Sequence, residues 1–101
     1  MDEKVIYEHE TESKLKKLDD RINVLKSNAK ALEAKAKKSY NDKVEKLLLK
    51  KHNVEEELRK MRSAGADAWI GIKTGIDKAF EEIDHGFKSA AAKLKDLKEK
   101  A

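Results

Sequence analysis

Three histidines, His9, His52 and His85, are the side chains of this sequence best suited to bind a metal or to transfer protons. They lie far apart along the chain, and none belongs to a recognised zinc-binding motif, in which the ligands recur at short fixed spacings. The chain has no cysteine, so it has neither thiolate ligands nor disulfides. We therefore interpret the histidines as exposed helix residues and predict no metal site.

Neighbouring carboxylates occur at Asp19 and Asp20 and again from Glu55 to Glu57. Such runs are typical of solvated helix faces. The sequence also lacks a glycine-rich phosphate loop and a nucleophile elbow. It predicts no catalytic residue, no cofactor-binding residue and no cofactor, and hence a protein that is not an enzyme.

Residues 26–51 hold nine lysines against three acidic residues, a local excess of positive charge that could contact phosphates. The stretch contains no arginine, and Tyr40 is its one aromatic residue, so neither base readout nor base stacking is supported. A solvated helix face is the simpler interpretation. Nonspecific nucleic-acid binding is therefore only a third hypothesis for the function.

The composition is that of long helices rather than of a globular domain with a large core. The chain has 101 residues, of which 44% are charged and 5% aromatic, and it has no proline. Abundant Ala, Glu, Lys and Leu without proline is typical of coiled coils. The absence of cysteine, the polar N-terminus and the lack of a long apolar run lead us to expect a cytoplasmic protein.

The first part of the chain carries apolar residues in alternating steps of three and four, the spacing of a heptad seam. No glycine or proline interrupts residues 1–62, so we predict one charged coiled-coil helix over that range. Two successive steps of four between Ala36 and Val44 form a stutter, which locally unwinds a supercoil. We expect part of this seam to mediate self-association; that part consists of Leu15, Leu18, Ile22 and Leu25.

A turn is predicted at residues 63–67, where Gly65 can adopt the left-handed conformation that ends a helix and Asp67 can cap the next one. A second helix then covers residues 68–101. Ser39, Asn41 and Asp42 offer further caps, so a break at residues 39–42 is also possible. The predicted fold is an all-α antiparallel helical hairpin, with a three-helix bundle as the alternative.

The second helix repeats every eleven residues, which gives ~3.67 residues per turn and keeps an apolar stripe on one face of a nearly straight helix. Glycine recurs at one edge of that stripe, where it would let another helix approach closely. We predict that this face packs against the first helix. It comprises Trp69, Ile72, Gly75, Ile76, Phe80, Ile83, Gly86, Phe87 and Leu94.

This part of the chain resembles the tail of a group of small bacterial coiled-coil proteins of uncharacterised function. Those proteins join a lysine-rich heptad helix to a segment of the form A-W-x-x-x-K-x-G-x-x-x-A-aromatic. The resemblance implies a helical fold and no known activity. The matching residues are Ala68, Trp69, Lys73, Gly75, Ala79 and Phe80.

Helix lengths predict that the chain forms a homo-oligomer. A helix over residues 4–62 would be ~88 Å long and one over residues 67–100 only ~51 Å, so folding back would leave the seam around Leu18 bare. A second copy of the chain is the simplest cover. The alternative break at residues 39–42 would instead give a self-contained monomer.

The preferred function is therefore that of a non-enzymatic coiled-coil protein that acts by self-assembly or by binding a protein partner through its helices. Reversible binding to a membrane surface is the alternative, because an amphipathic helix with Trp69 and Phe80 on one face can lie in a lipid interface. Residues 63–101 carry seven basic and seven acidic residues, however, which weakens attraction to anionic lipid.

Overall fold

The computed structural model describes residues 2–99, apart from the side chain of Lys98. Within that range the chain forms three α-helices and no strand: α1 (Glu3–Ala29), α2 (Ala34–Ser63) and α3 (Ala68–Glu99). The predicted all-α fold class is confirmed, and the architecture is the three-helix alternative. No helix in the described part of the chain is long and apolar enough to cross a membrane.

The first helix ends much earlier than the sequence predicts. In place of one helix over residues 1–62, the chain turns at residues 30–33, and residues 39–42 lie inside α2. In the turn, the N–H of Lys30 donates to the carbonyl of Ser27 and the N–H of Leu32 donates to the carbonyl of Ala29. Neither glycine nor proline occurs between residues 27 and 36, so this turn lacks the strongest helix breakers.

The second turn spans residues 64–67, between the end of α2 at Ser63 and the start of α3 at Ala68. Gly65 does not take the left-handed conformation that we expected of it. Its carbonyl instead accepts a hydrogen bond from the N–H of Trp69 at 3.3 Å. Gly65 therefore contributes to the beginning of α3 rather than to a left-handed cap on α2.

The three helices lie side by side, with α1 and α3 parallel to each other and both antiparallel to α2. Lys51 of α2 pairs with Asp19 of α1, and Lys50 pairs with Glu82 of α3 at 3.5 Å. The described chain measures 53 × 18 × 16 Å. Because helices of 27, 30 and 32 residues have similar lengths, α2 extends along almost the whole length of both of its neighbours.

The heptad seam of α1 is part of the core of a single chain. Its four large residues are each at most 9% exposed: Leu15, Leu18, Ile22 and Leu25. They join one cluster with buried residues of α2, including Val54, and of α3, including Ile83. The bare seam that led us to expect a second copy at this position does not exist, because the early turn brings α2 and α3 over it.

The apolar face predicted for α3 faces the other two helices, with one exception. Ile76, Ile83 and Phe87 are buried, and the half-buried members are Trp69, Ile72, Phe80, Gly86 and Leu94. Gly75 is exposed, and a Cβ added to it would meet nothing within 4 Å. The expected close helix approach therefore does not occur at Gly75.

At Gly86, by contrast, a side chain of α2 fills the space beside the glycine. A Cβ built on Gly86 would lie 2.5 Å from Cδ2 of Leu47, which is itself 2% exposed. The isobutyl group of Leu47 thus occupies the space that a side chain at position 86 would need. This contact ties the middle of α2 to α3.

The N-terminal turns of α1 hold the end of the bundle at which α2 ends. Asp2 caps α1 by accepting a hydrogen bond from the N–H of Lys4 at 3.0 Å. The ammonium of Lys4 donates to the carbonyl of Arg62 at 3.2 Å, which satisfies an unpaired carbonyl at the C-terminus of α2. The guanidinium of Arg62 pairs in turn with Glu12 of α1.

The two glycines provide a matched test of this packing. We expect Gly75→Ala to raise the free energy of unfolding by about 0.4–1 kcal/mol, because alanine restricts the unfolded chain and meets open space at position 75. Gly86→Ala should restrict the unfolded chain in the same way. Its displacement of Leu47, however, should lower the free energy of unfolding by about 1–3 kcal/mol. Urea denaturation measures both. Equal stability of the two variants would contradict the close contact at Gly86.

Candidate functional site

A groove runs between α1 and α3 on the side of the bundle away from α2. These two helices contact each other much less than either contacts α2. The space left between them has a volume of about 240 Å³. We call it the α1–α3 groove; it is lined by Lys14, Lys17, Leu18, Arg21, Phe80 and Asp84.

Two cations of α1 cross this groove and stack on aromatic rings of α3. The ammonium of Lys14 lies 5.2 Å from the centroid of the Phe80 ring, and the guanidinium carbon of Arg21 lies 3.9 Å from that of Phe87. Both are cation–π distances. Arg21 also pairs with the carboxylate of Asp84 at 3.5 Å. Long side chains that span the gap therefore hold α1 to α3, whereas α2 packs directly against both helices.

Tyr7 closes the groove near the N-termini of α1 and α3. Its hydroxyl donates to a carboxylate oxygen of Asp77 at 2.7 Å and lies 3.3 Å from the carbonyl of Lys73. Its ring contacts the Trp69 ring at a centroid separation of 6.4 Å. Burial, and then the hydrogen bond to the Asp77 carboxylate, raise the pKa of Tyr7 well above its ordinary value. The hydroxyl therefore stays protonated as a donor.

The chain presents a second row of residues beside the groove, on the outer flank of α1. Residues seven apart on a helix lie almost above one another. Tyr7, Lys14 and Arg21 form one such row, which faces α3. The adjacent row, which we call the outer row, is exposed and consists of Glu3, Glu10, Lys17 and Val24.

The outer row carries charged side chains that are not in ion pairs and an exposed apolar side chain. Among residues 2–99, neither Glu3, Glu10 nor Lys17 forms an ion pair within the chain. Val24 is an apolar residue that is 59% exposed. The row is acidic towards the N-terminus of α1 and basic or apolar towards its C-terminus.

Exposed apolar side chains flank the same groove. Ile6 lies three residues after Glu3 and four before Glu10 on α1, so it is a neighbour of the outer row, and it is 40% exposed. On α3, Ile70 is 55% exposed and lies one heptad before Asp77, which contacts Tyr7. With Val24, these make up three of the five large apolar residues that are most exposed in the described chain.

The lysine-rich stretch at residues 26–51 is partly used inside the bundle. Lys43 donates to the hydroxyl of Ser89 at 3.0 Å, and Lys50 and Lys51 pair with acidic residues of the neighbouring helices. The hydrogen bond to Asp19 raises the pKa of Lys51. Tyr40, the only aromatic residue of the stretch, is completely buried and therefore not available to stack on a base.

The three histidines, which could bind a metal or transfer protons, are dispersed over the surface. His9 and His52 are exposed, and each lies near the glutamate three residues later, at 4.0 and 3.9 Å respectively. His85 is exposed on α3. In the part of the chain that the structure describes, no three histidine, aspartate or glutamate side chains converge as metal ligands would.

No known protein family, curated protein or solved structure matches this chain. The resemblance of the Ala68–Phe80 segment to small bacterial coiled-coil proteins therefore stays a prediction.

Of the residues that line the groove, the periodic apolar patterns of the sequence predict only Leu18, as part of the seam, and Phe80, as part of the packing face. A signal was nevertheless present. The row of Tyr7, Lys14 and Arg21 lies directly beside the heptad seam, and Asp77 and Asp84 are also one heptad apart on α3. Polar residues at heptad spacing beside both apolar faces indicate that the two helices can pair side by side.

The two tyrosines test the bridge across the groove. Tyr7→Phe removes the hydrogen bond to Asp77, and we expect it to lower the free energy of unfolding by about 0.5–1.5 kcal/mol. Tyr40 is the control, because its buried hydroxyl has no hydrogen-bond partner. Burial raises the pKa of Tyr40, and the side chain of Asn28 offsets part of that rise without reaching hydrogen-bond geometry.

Tyr40→Phe should therefore leave the stability unchanged or increase it, since it removes a desolvated hydroxyl. Urea denaturation of both variants gives the comparison. A larger loss from Tyr40→Phe than from Tyr7→Phe would contradict the assignment of Tyr7 as the bridging residue.

Proposed function

We propose that this protein is a non-enzymatic cytoplasmic interaction protein that binds a helix of a partner in the α1–α3 groove. The observation that carries the proposal is the combination of the half-buried Phe80 ring in the groove with cations along the wall and exposed apolar residues beside it. Amphipathic helices bind to other proteins in grooves of this kind.

The shape of the groove favours a helix over other ligands. Its two walls are parallel helices, so a third helix laid between them would contact both along its length, as in a four-helix arrangement. Lys14, Lys17 and Arg21 face a single carboxylate, Asp84, within the groove. The bound helix should therefore carry acidic side chains beside its apolar ones.

The apolar face of α3 supports this function in preference to lipid binding. The residues that would enter a lipid interface, among them Phe87 and Ile83, are buried in the bundle. Trp69 and Phe80 are half-buried and contact side chains of α1. Lipid binding through this face would require the bundle to open, whereas the groove is accessible in the folded protein.

The lysine-rich stretch gives weaker support to nucleic-acid binding. It offers charge alone, because its aromatic residue is buried and three of its lysines contact neighbouring helices. Charge without stacking or base contacts supports only weak, salt-sensitive association with phosphates. The groove offers apolar contacts as well as charge, so we propose the groove rather than the lysine-rich stretch as the binding surface.

Site-specific crosslinking in the native cell tests the proposal. A photocrosslinking amino acid in place of Val24 lies beside the groove, and one in place of Leu49 is the matched control. Both positions hold large apolar residues of similar exposure, at 59% and 64%, but Leu49 belongs to α2 and lies outside the groove walls. We expect a discrete crosslinked product from position 24 and none from position 49.

A Lys17→Glu change made together with the crosslinker at position 24 should abolish that product, because it removes a cation from the groove wall. Equal crosslinking from positions 24 and 49, or none from position 24, would contradict the proposed function.

A further inference from the structure

Taking the proposed function as its basis, we propose that the helix bound in the α1–α3 groove is α1 of a second copy of this chain, running antiparallel. The protein would then be a two-fold symmetric dimer in which α1 of each copy binds in the α1–α3 groove of the other. This interface differs from the heptad seam, since the seam is buried within each chain. It uses the outer row and the rims of the groove.

The charge order of the outer row makes it complementary to itself. Its N-terminal half carries Glu3 and Glu10, and its C-terminal half carries Lys17 and Val24. When two such rows run antiparallel with Glu10 opposite Lys17, two-fold symmetry produces that ion pair twice. In a two-fold interface each contact between different residues recurs in this way.

The parallel orientation is unfavourable by the same reasoning. It would place Glu10 beside Glu10 and Lys17 beside Lys17, and like charges on neighbouring helices repel. None of these outer-row charges is neutralised by an ion pair within the described chain. The unpaired charges therefore select the antiparallel orientation.

The exposed apolar residues of the rims fit the same alignment. With Glu10 opposite Lys17, residue 24 of the second copy comes opposite residue 3, within one helical turn of Ile6. Ile70 of α3 lies at this level too, because Tyr7 contacts both Trp69 and Lys73. Val24 of the second copy would therefore cover Ile6 and Ile70.

Association can be measured by sedimentation equilibrium over a wide range of protein concentration. At low ionic strength, where exposed charge pairs are least screened, the wild-type mass should approach twice the chain mass of 11.5 kDa. Glu10→Lys and Lys17→Glu should each weaken dimerisation by about tenfold or more, because each converts two attractive contacts into two repulsive ones.

Mixing the two variants provides the decisive measurement. One chain then carries lysine at both positions 10 and 17 and the other carries glutamate at both, so the mixture should form a heterodimer while each variant alone stays monomeric. Glu45→Lys and Lys46→Glu are the controls, since both residues are exposed on α2 outside the groove walls; they should dimerise as the wild type does. Circular dichroism verifies that every variant remains helical.

Three results would overturn the second-copy proposal: a wild-type protein that stays monomeric at the highest concentration, single variants that dimerise normally, or folded variants that do not associate on mixing. The crosslinking experiment separates this outcome from failure of the proposed function. A product at position 24 with the mass of two chains supports the dimer. A product that contains a different protein supports the groove but overturns the second copy, and no product contradicts both.

Discussion

The burial of the α1 heptad seam is the interaction on which the rest of the structure depends. Burying each of four large residues, Leu15, Leu18, Ile22 and Leu25, stabilises the fold by about 1.5–3 kcal/mol. A continuous helix through residues 30–33 would retain a few more backbone hydrogen bonds, each worth only about 0.5–1.5 kcal/mol net. It would also expose the seam to water. The chain therefore turns, and α2 and α3 cover α1.

The groove follows from the way in which that burial is achieved. α2 packs closely against both neighbours, through contacts such as Leu47 against Gly86, while α1 and α3 remain further apart. Long side chains from α1 bridge the gap by stacking on the rings of Phe80 and Phe87. Because these bridges leave space between them, the side of the bundle opposite α2 has both apolar surface and unneutralised charge.

The same surface links stability and proposed function. Tyr7 and Arg21 hold α1 to α3, but they also set the spacing of the two helices that form the groove walls. Lys17 and Glu10 lie one row further out and make no ion pair within the described chain. Residues of the inner row thus serve the fold, and residues of the outer row are free to contact another helix.

The sequence by itself determined that the chain is helical, that α3 begins at Ala68 and that Ile76, Ile83 and Phe87 face a core, because composition and periodicity are local properties of each helix. Only the tertiary structure decided the turn at residues 30–33, which has no glycine or proline. The tertiary structure also decided that a side chain at position 75 would meet open space and one at position 86 would meet Leu47, although the two glycines occupy equivalent positions in the repeat. The bridge from Tyr7 to Asp77 joins residues 70 positions apart. Such pairings depend on which helices pack together, and a free-energy balance over the whole chain sets that choice.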